Sequence, residues 1–324
     1  MSRLALYLLG PPLVERDGEA VHISRRKAMA LLAYLAVTGR PHRRDALATL
    51  LSPDYEQSGA LRELRRTLSV LNAKLGNGWL VADREKAELN PDADLWLDVH
   101  AFRQHLSHCE TRHPPTEVCQ DCVLNLEKAV ELYRDDFLAG FTLTGSLAFD
   151  EWQFFQTERL KDQLAGALER LAHALQSQGE HERAIGYVRR WLELDPTHEP
   201  AHRQLMGLYV QAGRRNAALR QYRTCVRVLE QELGVPPSRE TTTLYEQVRS
   251  QRAGLAQAAV PQITPPARVP AFLTQEEAPA IDRPVFVARE RELARLDGYL
   301  EKTLGGQGQV VLVRGGPGRG KTAL

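Results

Sequence analysis

Two segments of this chain repeat each other at a spacing of 34 residues, and that period constrains the fold more than any other feature. Leu171 corresponds to Leu205, Leu175 to Tyr209, Gly179 to Gly213, Ala184 to Ala218 and Val188 to Tyr222. Each copy has apolar residues at helical spacing, a Gly where the chain reverses, and an Ala where two helices cross. One such unit cannot bury its apolar face alone, so neighbouring units must stack. Pro196 ends the first copy; the second has Glu230 there and closes at Gly234-Val235-Pro236-Pro237. Helical patterning begins earlier, at Leu126-Glu127-Lys128-Ala129-Val130-Glu131-Leu132-Tyr133. The spacing predicts an all-α body of stacked helix pairs.

A second pattern lies near the N-terminus, in residues 60–75, ALRELRRTLSVLNAKL. Leu61, Leu64, Leu68, Leu71 and Leu75 form one helical stripe. Arg62, Arg66 and Ser69 occupy the opposite face, with Arg65 at its edge. Arg can donate two hydrogen bonds to a guanine edge, and Ser can reach a base or a phosphate. The pattern therefore suits a helix lying in a DNA major groove, although a solvated basic surface helix would look the same. Charge distribution favours the groove. The chain's formal net charge is only +1. Yet basic residues exceed acidic ones by about five over residues 1–80, and acidic exceed basic by about nine over the next eighty. A basic head ahead of an acidic body points to a polyanion at the head alone.

Read in order, the head alternates short strands and helices. Leu4, Leu6 and Leu8 alternate as in a strand, and the Asp17-Gly18 turn predicts a hairpin into a strand over 20–23. Ser24 is placed to cap a helix from Arg25 to about Thr38, with Ala28, Leu31, Leu32 and Leu35 inward and Gly39 ending it. A second helix runs from about Arg43 to Ser52-Pro53, and the third closes at Gly76-Asn77-Gly78. Residues 79–82 and 88–90 read as short strands around the charged tip Asp83-Arg84-Glu85-Lys86. This is the order of a winged helix-turn-helix with an N-terminal sheet. Arg25, Arg26 and Lys27 fall in the first turn of one helix, Arg43 and Arg44 in the first turn of the next. A helix N-terminus disfavours cations by a few tenths of a kcal/mol each, an arrangement that docked phosphates would reverse. Screening keeps the cost small, so plain solvation of these side chains is the alternative.

The stretches RRKAMALLAYLAVTGRPHRRDALATLLSPD and ALRELRRTLSVLNAKLG resemble the DNA-binding domain of SARP/AfsR-type bacterial transcriptional activators. That domain is a winged helix of the OmpR/PhoB type. The chain departs from the family at Ser52, where Trp is common. The resemblance implies that the third helix reads bases and that the wing, with Arg84 and Lys86, lies towards the minor groove. The phrases LYRDDFLAGF, FDEWQFFQTERL and LDPTHEPAHRQLMGLYVQAGRRNAALRQYRTCVRVLEQELGVPPS are similar to the bacterial transcriptional activation domain of the same family. Its repeats are tetratricopeptide-like. The family implies double-stranded promoter DNA and RNA polymerase as partners, and a homodimer on direct-repeat DNA.

Two further motifs carry chemistry. Cys109, His113, Cys119 and Cys122 supply four ligands within fifteen positions, and Cys-x2-Cys lets two thiolates reach one tetrahedral zinc. Metal-free thiols at a helix edge are the alternative. Near the C-terminus, residues 309–314 pattern as a buried strand before Gly315-Gly316-Pro317-Gly318-Arg319-Gly320-Lys321-Thr322, which fits G-x4-G-K-T. Glycines at 315, 318 and 320 would let backbone amides close round phosphates. Lys321 would neutralise the β/γ oxygens and Thr322 would hold Mg²⁺. The segment resembles the start of a STAND-type signalling ATPase. The sequence stops at Leu324, before any Walker B carboxylate, so we expect a truncated domain that does not hydrolyse ATP.

The expected fold is mainly α with a small β component. A winged helix (1–97) leads into a TPR-like helical-repeat domain (98–251), a Pro-rich linker (252–284) and an incomplete P-loop α/β segment (285–324). The expected function is DNA-binding transcriptional activation. No cofactor is required by this reading; zinc and, in a longer parent, ATP with Mg²⁺ are compatible with it. Alternatives are a nucleotide-dependent signalling ATPase in that parent and a protein-interaction scaffold. No run approaches the roughly 18 apolar residues of a membrane span, and the N-terminus lacks a signal-peptide pattern. Four cysteines make no disulfide framework, so a reducing cytoplasm is expected.

Overall fold

The structure is a computed structural model that describes residues 3–110 and 119–258. Strand β1 (Leu4–Tyr7) alternates buried Leu4 and Leu6 with half-exposed Ala5 and Tyr7, the two-residue period of a strand with one face on the core. Gly10-Pro11-Pro12 returns the chain into β2 (Leu13–Arg16), antiparallel to β1 with Leu6 opposite Val14. β3 (Glu19–Ala20) follows across Asp17-Gly18, whose φ angles of 56° and 86° define the reversal that Asp-Gly favours. The expected hairpin is therefore present with different arms. Its first arm is β2, and only Ala20 of the strand expected over 20–23 joins the ladder.

Helix α1 (Arg26–Thr38) buries Ala28, Leu31, Leu32 and Leu35, and Gly39 closes it at φ 59° by donating to the Leu35 carbonyl. Ser24 does not cap it. Arg25 occupies the cap position with no side-chain cap bond, because the chain turns one residue later than the sequence suggests. β4 (His42–Arg43) leads directly into α2 (Arg44–Leu51), and α3 (Gln57–Leu75) begins one turn before the leucine stripe. β5 (Leu80–Ala82) and β6 (Lys86–Leu89) form the wing, with β4 on the outer side of β6. Then β7 (Leu95–Leu97), not foreseen from the sequence, runs parallel to β1 and completes a sheet of order β3-β2-β1-β7.

Seven helices follow: α4 (Asp98–Glu110), α5 (Gln120–Leu132), α6 (Leu147–Ser177), α7 (His181–Leu194), α8 (Glu199–Gln211), α9 (Arg215–Glu232) and α10 (Arg239–Ala258). They pack as successive pairs, α4 on α5, α6 on α7 and α8 on α9, with α10 against α8 and α9. The 34-residue period coincides with the last two full pairs. Gly179 and Gly213 take φ 79° and 72° at the two interhelix turns. Leu171, Leu175, Ala184 and Val188, like Leu205, Tyr209 and Ala218, are at most 4% exposed. Among the described residues no helix is long and apolar enough to cross a membrane.

The head and the body share one core. Residues Met1–Val260 form a single compact unit. Asp98, the first residue of α4, accepts the amides of Leu8 (2.7 Å) and Leu9 (2.8 Å) at the end of β1 and that of Val99. Burial pushes its carboxyl above the ordinary range, against the pull of the three amides and of Arg134. The segment between α5 and α6 returns to the same strand end, where the amide of buried Leu138 donates to the Leu8 carbonyl at 2.8 Å. Trp152 on α6 stacks edge-on against Tyr34 of α1 and Phe137, with centroids 4.9 and 5.5 Å away. Buried Ser146 caps α6 and donates to the Leu50 carbonyl of α2. Packing and hydrogen bonds thus fasten α1, α2 and the N-terminal sheet to the helical body.

Candidate nucleic-acid interface

The leucine stripe of α3 sets the orientation of its basic face. Leu64, Leu68, Leu71 and Leu75 are at most 7% exposed, Leu61 is half-buried, and Thr67 turns its hydroxyl back to the Glu63 carbonyl. Arg62, Arg65, Arg66 and Ser69 are all exposed. Spaced by three and four residues, they lie on one outward strip. Side chains of this length on a rigid helix can enter a major groove and reach base edges.

The cations expected at the helix starts divide into two sets. Arg25 forms an ion pair with Glu63 that ties the start of α1 to α3. Arg26 donates to the carbonyl (2.8 Å) and hydroxyl of Thr142 and stacks over Phe141. Lys27 reaches the Ser52 hydroxyl at 2.7 Å and lies over the Tyr55 ring. These three side chains take protein partners. At position 52, where the sequence departs from the family, Ser52 is buried and accepts the Lys27 ammonium.

Arg43, Arg84 and Lys86 are exposed. Arg43 donates to both oxygens of Asp45, at 3.2 and 2.9 Å, and that contact holds the Asp45 carboxyl below its ordinary range. Arg44 donates to the Asp83 carbonyl at 2.8 Å, which connects the start of α2 to the wing tip. The Asp83 carboxylate accepts the amides of Glu85 and Lys86, both at 2.7 Å, fixing the turn that presents Arg84 and Lys86. β4 pairs with β6 so that Arg43 stands opposite Lys86. Helix α2 and the wing therefore present their cations side by side. None of the residues preceding α1, α2 and α3 caps its helix with a side chain, and in α2 the amides of Arg44 and Ala46 donate instead to the Glu85 carbonyl and the Asp45 carboxylate. Sequence reasoning missed Glu63, Ser52 and Thr142 as internal partners of the basic residues, and Asp98 as the anchor of β1.

The other predicted sites are reached only in part. Cys119 caps α5 with its sulfur 3.4 Å from that of Cys122, and the Cys122 amide bonded to it holds the thiol below its ordinary range. His113 and the side chain of Cys109 lie outside the described residues. So do Gly315, Gly318, Gly320, Lys321 and Thr322. Among the described residues no cluster of three or more metal-ligating side chains occurs.

Comparison with known proteins agrees with this architecture. Residues 97–249 match the bacterial transcriptional activator domain. The chain is 27% identical over 259 residues to the regulatory protein AfsR of Streptomyces coelicolor, covering 78% of this chain and 25% of that protein. It is also 27% identical over 328 residues to the AfsR of Streptomyces griseus, covering 99% and 32%. The chain thus spans about a quarter to a third of the length of these curated relatives. Its fold is similar to that of Mycobacterium tuberculosis EmbR, solved in complex with a low-affinity phosphopeptide, with a TM-score of 0.62 and 24% identity, covering 80% of this chain and 70% of that one. The chain carries a bacterial transcriptional activator domain and is similar in sequence to regulatory proteins of the AfsR type.

Proposed function

We propose that this chain is a sequence-specific DNA-binding transcriptional activator whose α3 reads bases in the major groove. The observation that carries the reading is the exposed strip Arg62, Arg65, Arg66 and Ser69 on a helix whose opposite face is buried. Arg43, Arg84 and Lys86 contact backbone phosphates, with Arg44 positioning the wing. The helical repeats provide a surface for a second copy of the chain and for RNA polymerase, as stacked helical repeats commonly do. Titration of cognate promoter DNA tests the role of α3. Arg66→Ala is expected to cost about 1–3 kcal/mol on the cognate site and little on scrambled DNA. Equal losses on both DNAs would remove Arg66 from base readout.

The G-x4-G-K-T sequence favours a second, compatible reading in which bound nucleotide regulates the activator. Binding of ATP with Mg²⁺, lost in Lys321→Ala, would support it; no binding at millimolar nucleotide would end it.

A further inference from the structure

Two thiols meet at the first turn of α5. Cys119 is the N-cap of that helix and Cys122 lies three residues on, the two positions that capping geometry brings together. The Cys119 sulfur accepts the Cys122 amide at 3.4 Å and lies 3.4 Å from the Cys122 sulfur. Sulfurs joined in a disulfide are about 2.05 Å apart, so a closure of about 1.4 Å would bond this pair. The two side chains differ in access. Cys119 is half-exposed, whereas Cys122 is fully buried. Asp121, between them, pairs with His108 of α4 at 2.7 Å, which fastens the same turn to the neighbouring helix. Cys225 offers a contrast within the same chain: it is buried on α9, where burial pushes its thiol up to about 11.

An outer thiol in contact with an inner one is the arrangement that two-step disulfide exchange requires. We propose that Cys119 and Cys122 form a redox-active dithiol that exchanges with low-molecular-weight disulfides, RSSR. Cys119, the sulfur a reagent can reach, attacks one sulfur of RSSR as its thiolate. A Cys119–S–SR bond forms and RS⁻ leaves. Cys122 then gives up its proton and its sulfur attacks the Cys119 sulfur, which breaks the mixed disulfide and expels the second RS⁻. The two cysteines are oxidised by two electrons, and RSSR is reduced to two RSH that carry off both thiol protons. Exchange in reverse with RSH restores the dithiol. The ring closed in this way spans one turn of α5, so oxidation alters the chemistry of the site and leaves the helix packing in place. Transient disulfides of this kind are the ones a reducing compartment permits. The inference does not depend on the DNA-reading role of α3.

The test equilibrates the full chain with mixtures of oxidised and reduced glutathione, quenches in acid, alkylates the remaining thiols and maps the peptides by mass. Reversible loss of two thiols per chain is expected, with one disulfide joining Cys119 to Cys122, no glutathione retained and Cys225 still reduced. Cys122→Ser is expected to stop at the mixed disulfide, with glutathione held on Cys119. Cys119→Ser is expected to leave Cys122 unmodified, because the outer sulfur that starts the exchange is gone. Circular dichroism and the melting temperature verify that both variants fold, and neither should change when the unaltered chain is oxidised. No Cys119–Cys122 disulfide under excess oxidised glutathione, a disulfide to Cys109 in its place, or equal reaction of Cys122 in folded Cys119→Ser and the unaltered chain would overturn the inference. Zinc released in proportion to the thiols lost, measured with a chromogenic chelator, would also overturn it and make the pair metal ligands.

Discussion

Arg43 and Arg66 carry the same charge in different surroundings, and their substitutions should separate accordingly. Arg43 stands beside the wing, paired with Asp45, and in the proposed reading it meets a phosphate and no base. Arg43→Ala is expected to weaken binding alike on cognate and scrambled DNA and to lower the salt slope by about 1; a selective loss on the cognate site would contradict its phosphate role. The exposure of Arg62, Arg65, Arg66 and Ser69 was legible in the sequence because the leucine stripe alone fixes which face of α3 is outward. The engagement of Arg25, Arg26 and Lys27 was not, since their partners lie 38, 116 and 25 residues away. A different residue reports on stability. His202 is buried, bonded through Nε2 to the Pro196 carbonyl and through Nδ1 to the Gln221 amide, and burial lowers its pKa from 6.5. The folded chain therefore resists a proton that the unfolded chain accepts, so its contribution is complete above pH 6.5 and is lost as pH falls below it. Unfolding free energy should decline from pH 6.5 to 5, and His202→Gln should make that decline shallower; an unchanged slope would exclude His202 as a source.

Among the elements, the repeat helices and the wing were read almost as they stand, because local signals specify them. A Gly reverses each of the two repeat pairs, an Asp83 turn closes the wing, and apolar spacing sets each buried face. Glycine substitutions test this directly. Gly213 takes φ 72° and has open space where a methyl group would stand, so Gly213→Ala should cost about 1–2 kcal/mol through backbone strain alone. Gly207, inside α8 with equally open space, should instead gain about 0.5–1 kcal/mol on substitution by Ala. Denaturant titration checks both, and the same sign for the two would contradict this assignment of roles. β7 escaped the sequence reading for a physical reason. Three residues, Leu95-Trp96-Leu97, lead straight into a helix with no turn signal, and their partner strand lies at the other end of the head.

At the scale of the molecule, the expected boundary after residue 97 cuts through a shared core. A fragment ending at residue 97 lacks Asp98, Phe102, Phe137 and Leu138, all at most 1% exposed, and leaves the Leu8 and Leu9 amides without their acceptor. It should show no cooperative thermal transition, whereas residues 1–260 should; a cooperative transition in the short fragment would make the head an independent domain. Joined in this way, the helical body holds α1, α2 and the N-terminal sheet in place while α3 and the wing face outward. The most direct test is binding of the purified chain to DNA upstream of its own gene and to scrambled DNA, across a range of salt. A selective complex is expected, its log affinity falling with log salt at a slope of about −3 for each winged helix bound, from Arg43, Arg84 and Lys86 at roughly 0.9 per phosphate. Weak binding, equal on both DNAs, would contradict the base-reading role of α3.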